Sequence, residues 1–87
     1  MRNYHRQILA KASLALDEQG VEEREIAGIT FALDPATLPK FKKELHKLLD
    51  RLAAESAHQD PARRTEVYHL ETALFRLSQP SRGEDKK

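Results

Sequence analysis

A chain of 87 residues, a third of them charged and with a net charge of +1, has room for one small domain, and a domain this size buries only about 60% of its unfolded surface. It contains no cysteine, which excludes disulfides and thiolate zinc sites as supports and leaves oligomerisation as the remaining one. The near-neutral charge lacks the basic excess of a dedicated nucleic-acid binder, no apolar run approaches the roughly 20 residues of a membrane span, and Met1 to Gln7 lacks the apolar core of a signal peptide, so the cytoplasm is the expected compartment.

In chain order, Tyr4, Ile8, Leu9, Ala12, Ala15 and Leu16 recur at spacings of three and four. This predicts a helix over 3–18, with Asn3 as N-cap and Gly20 at the C′ place. After a charged connector the period changes to two. Ala27, Ile29, Phe31 and Leu33 fall on one side of a predicted strand, while Ile26, Gly28, Thr30 and Ala32 fall on the other. Asp34 and Pro35 end that strand and can open a helix, with Thr37 an equally good N-cap because Pro39 strains a regular start at Pro35.

Leu38, Phe41, Leu45, Leu48, Leu49 and Leu52 give the strongest helical signal, placing a second helix at 37–56. A loop around Pro61 follows. The run from Glu66 to Ser78 alternates again, with Tyr68, Leu70, Thr72 and Leu74 on one face and Val67, His69, Glu71, Ala73 and Phe75 on the other. Residues 79–87 combine proline, glycine and charge without periodicity, which predicts a disordered tail after a single domain over 1–78.

These elements predict an α+β domain of order α-β-α-β. Two helices would pack on one face of a small sheet, and Phe31, Leu45 and Leu48 would share the core between strand and helix. A two-stranded sheet leaves long edges and a second apolar face, so the sheet is expected to be extended in a homodimer. Ile26, Thr30, Val67, Ala73 and Phe75 are the candidate interface.

Three segments, Tyr4 to Leu16, Glu22 to Leu45 and Val67 to Ser78, resemble the C-terminal domain of bacterial proteins that carry a helix-turn-helix-like N-terminal half and are taken to be transcriptional regulators. The resemblance lies in Tyr4-His5, Arg24-Glu25-Ile26, Leu38-Pro39 and the closing Val-Tyr-x-Leu run. Departures are Thr37 before Leu38-Pro39, His69 and Glu71 where the family has glutamine and asparagine, and Arg76 in place of proline. The resemblance implies a domain of unknown function that serves as a regulator's C-terminal module, with no catalytic or ligand-binding residues to carry over. The chain has no room for the DNA-binding half that full-length relatives would supply, so it reads as an excised domain or a naturally short relative.

Candidate chemistry is sparse. His5, His46, His58 and His69 could be ligands or bases but are read as surface or packing residues, no second histidine standing at helical spacing from any of them, and Ser13, Ser56 and Ser78 lack a nucleophile context. Glu22, Glu23 and Glu25 read as a solvated connector rather than a cation loop. No catalytic residue, cofactor or metal ligand is therefore expected. Lys40, Lys43, Lys47 and Arg51 form a basic stripe opposite the leucine face. It could grip nucleic-acid phosphates, but solubility and i,i+4 pairing explain the same pattern. The leading expectation is a non-enzymatic dimerisation or signal-sensing module. The alternatives are a nucleic-acid-binding module using that stripe and a small-molecule-binding domain.

Overall fold

Residues Arg2–Glu18 form α1 in the computed structural model, which describes residues 1–79. The tail expected over 79–87 lies, from residue 80 onward, outside the described residues. Met1, not Asn3, takes the N-cap place, and no side chain accepts from the first amides. Asn3 instead accepts a hydrogen bond from Arg6 at 3.4 Å. Arg2, His5 and Arg6 crowd the start of α1 while Asp17 and Glu18 sit at its end, the reverse of what the helix macrodipole favours. With no cap and opposed charge, α1 is weak alone and depends on what it docks against. Gly20 follows the C-cap residue Gln19, but its φ of −72° and ψ of 164° are extended backbone open to any residue. Arg24 closes the exit, its Nε donating to the Gln19 carbonyl at 3.0 Å.

The next stretch corrects the expected fold class. Arg24 and Asp34 have extended backbone dihedrals at either end of it, as the period-two pattern requires. No ladder forms, however. Among the described residues there is no strand, and the regular structure is entirely helical. Alternation fixes which side chains an extended chain presents to each side, but it does not supply a neighbour for the backbone N–H and C=O groups. Residues 25–33 and 65–77 make no backbone hydrogen bonds with each other. The sheet, and the packing of both helices on one face of it, are therefore absent; nor does α1 pack on α2.

The turn into α2 is built locally. The Asp34 carboxylate accepts from the Ala36 N–H at 3.0 Å, and the Thr37 hydroxyl donates to the Asp34 carbonyl at 2.7 Å. A 3₁₀ turn, Pro35–Thr37, then feeds α2, Leu38–Ala57, with Thr37 as N-cap and Pro39 in the first turn where a missing N–H does no harm. The same tripeptide recurs as Asp60-Pro61-Ala62 with the same carboxylate-to-amide bond at 3.0 Å. This second turn, Pro61–Arg63, does not grow into a helix, because Arg63-Arg64-Thr65-Glu66 supplies no apolar stripe to bury. At the far end of α2, His58 Nδ1 donates to the Ala54 carbonyl at 2.7 Å, closing one of the orphan carbonyls of the last turn.

The apolar face of α2 forms the nearest approach to a core. Leu45, Leu48 and Leu49 are half-buried, as are Leu33, Ile8 and Ala15, and the Phe31 ring meets that of Phe41 at 5.8 Å. No residue is fully buried among those described, and Phe31 stays 44% exposed. The expected shared core is thus only partial. Ile29, on the face predicted to be inward, is 84% exposed. The radius of gyration is 16.9 Å, well above the about 12 Å of a compact chain of this length.

Candidate interaction surface

Period-two alternation along the closing segment presents its side chains to different helices. Odd-numbered His69 and Glu71 turn to α1, where His5 Nδ1 meets Glu71 Oε2 and His69 Nε2 meets Glu71 Oε1 at 2.8 Å. Tyr4 sets its ring edge-on to both imidazoles, with centroids 5.6 Å and 6.1 Å away. Even-numbered Tyr68 and Leu70 line a cleft together with Leu49 and Leu52 of α2. The segment therefore ties together two helices that do not touch each other.

Glu71 is the most covered polar side chain of this tie, 17% exposed against 50% for His5 and 42% for His69. Hydrogen bonds from His69 and then His5 hold its carboxyl below the ordinary carboxylate value, against a smaller upward push from desolvation. Each carboxylate oxygen is engaged by one imidazole, so the three groups do not converge on a common point as metal ligands would, and no set of three or more such ligands is assembled among the described residues. The histidines were expected to be surface or packing residues, yet two of them share one acid. That acid lies 66 residues from His5 in sequence, where no spacing rule finds it. The departures from the resembling family at His69 and Glu71 prove to be partners of one another.

The residues expected at a dimer interface form an open surface in the single chain. Val67 is 100% exposed, Phe75 71% and Ile26 47%, and Thr30 and Ala73 are exposed as well. Lys40, Lys43, Lys47 and Arg51 are also exposed along α2. Among them Lys47 pairs with Glu44, three residues before it, at 3.6 Å. On the opposite side of the closing segment the Tyr68 hydroxyl donates to Glu66 at 2.9 Å. That bond and the adjacent carboxylate raise the phenol above its ordinary value.

A family model described as a domain of unknown function, DUF4423, matches residues 1–77. The chain belongs to the DUF4423 family. No curated protein and no solved structure was found to match it. The matched span includes the His5–Glu71–His69 tie, the Phe31–Phe41 contact and both Asp-Pro-Ala turns of this DUF4423 chain. No helix among its described residues is long and apolar enough to cross a membrane.

Proposed function

We propose that this DUF4423 chain is a non-enzymatic assembly module of a bacterial transcriptional regulator, acting as a homodimer that holds two DNA-binding halves in register. The observation that carries this reading is the absence of any buried side chain among the described residues, with Val67, Phe75, Ile29 and Leu77 each more than two-thirds exposed. The accessible surface is 8271 Å², whereas a compact monomer of this mass has about 5,200 Å². The excess is larger than the roughly 1,000–2,500 Å² that each partner of an obligate homodimer covers. A second copy is the occupant that is always present at the chain's own concentration, and an isologous contact through Ile26, Thr30, Val67, Ala73 and Phe75 brings two equivalent apolar patches together. Two-fold symmetry also matches regulators that read paired DNA half-sites.

Val67→Asp with Phe75→Asp tests it. The pair adds charge at the proposed contact and removes little from the single chain's internal contacts, Val67 being 100% and Phe75 71% exposed. It is expected to halve the molar mass measured by light scattering or to unfold the chain. A dimer of unchanged mass and melting temperature would overturn the interface.

A further inference from the structure

We infer that the cleft between α2 and the chain from Gln59 to Leu70 binds a small organic monocarboxylate with an apolar body, of the medium-chain fatty-acid class. Both walls come from one chain, so this site does not depend on the dimer. Its volume of about 630 Å³ falls within the roughly 300–1,000 Å³ of small-molecule sites.

The lining divides by chemistry. Leu49, Leu52, Ala53 and Leu70 make an apolar floor, and Arg63 and Arg64 stand in the same lining. Arg64 donates one hydrogen bond, to the Ser56 carbonyl at 3.5 Å, which leaves most of the five guanidinium N–H groups free. The Arg63 side chain makes no hydrogen bond or ion pair with the described residues. The carboxylate of the cleft, Glu66, already accepts from Tyr68 at 2.9 Å. Two arginines against one glutamate give the lining a net single positive charge. That balance suits a monoanion better than a phosphate dianion, and the planar fork of arginine matches a carboxylate in a bidentate pair. The floor then covers the alkyl or aryl body of the ligand, away from water.

The turn that aims these arginines is fixed by Asp60. Its carboxylate accepts from the Ala62 N–H at 3.0 Å, and the Arg63 and Arg64 amides donate back to the carbonyls of Asp60 and Pro61. The two cations are thus carried by a closed turn rather than a loose loop, which lowers the ordering entropy a ligand must offset.

Calorimetric titration of the full chain with octanoate and with octanol separates the possibilities. Octanoate is expected to bind one-to-one, Arg63→Gln with Arg64→Gln to weaken it at least tenfold, and Lys40→Gln with Lys43→Gln to leave it unchanged. Octanol is expected to bind at least tenfold more weakly than octanoate. Circular dichroism of each variant confirms that the helices persist. Absence of octanoate binding, equal binding of octanol, or an equal loss in the lysine variant would each overturn the site. The last two would point to general apolar or cationic attraction.

Discussion

The ring of Phe31 lies 5.8 Å from that of Phe41, tilted by 53°, and this pair pins the first extended stretch to the start of α2. Both rings keep substantial exposure, 44% and 37%, so removing one forfeits only part of what a fully buried phenylalanine contributes. Phe31→Ala is expected to destabilise by about 1–2 kcal/mol rather than the roughly 3–5 of a closed core. A shift in the urea midpoint without a change in slope reads this directly. A double-mutant cycle with Phe41→Ala should return a coupling of about 0.5–1.5 kcal/mol.

Glu71 joins α1 to the closing segment, and its lowered carboxyl pKa sets a sign. A carboxylate whose folded value lies below its unfolded one contributes stability that is fully present above the unfolded value. That stability is lost as pH falls through the folded value. Docking of α1 should therefore hold through pH 5–7 and fade below the ordinary carboxylate range of about 4. Glu71→Gln should remove this part of the acid transition. Hydrogen exchange of the α1 amides between pH 3 and 6 measures it, and identical profiles in parent and variant would reject the tie.

The two Asp-Pro-Ala turns make the same carboxylate-to-amide bond at 3.0 Å but lead to different outcomes. Asp34→Ala removes a cap that precedes the 20 residues of α2 and is expected to cost about 1 kcal/mol. Asp60→Ala touches a single turn and should leave helix content and thermal midpoint nearly unchanged. Thermal melts followed by circular dichroism compare the two.

Lys43→Glu with Lys47→Glu reverses charge on the exposed face of α2 and breaks the Lys47–Glu44 pair, whose side chains are both more than 60% exposed. Exposed pairs of this kind contribute little. Folding and self-association should be unchanged. Binding of generic duplex DNA by the parent at low salt, lost in this variant and weakened steeply by added salt, would favour a nucleic-acid role over the assembly reading.

Helices were the legible part of this sequence. Spacings of three and four from Tyr4 to Leu16 and from Leu38 to Leu52 are local, and they placed α1 and α2 within one residue at each end. The Asp34-Pro35 turn was legible for the same reason, since a carboxylate two residues from an amide needs no distant partner. The alternating runs misled because the pattern of an extended chain does not say whether another chain lies beside it. The Glu71 tie and the arginine-lined cleft were illegible on different grounds. Both are made by residues brought together from separate segments, and one of them spans 66 positions.

Sedimentation equilibrium of the unmodified chain at tens of micromolar tests the central claim, that a second copy covers the surface left open around Val67 and Phe75. A weak dimer with a micromolar dissociation constant, about −8 kcal/mol, is still largely assembled in that range. The expected result is a mass twice that of the 10.0 kDa chain, falling on dilution together with helix content. A stable, well-folded monomer over the same concentrations would contradict it.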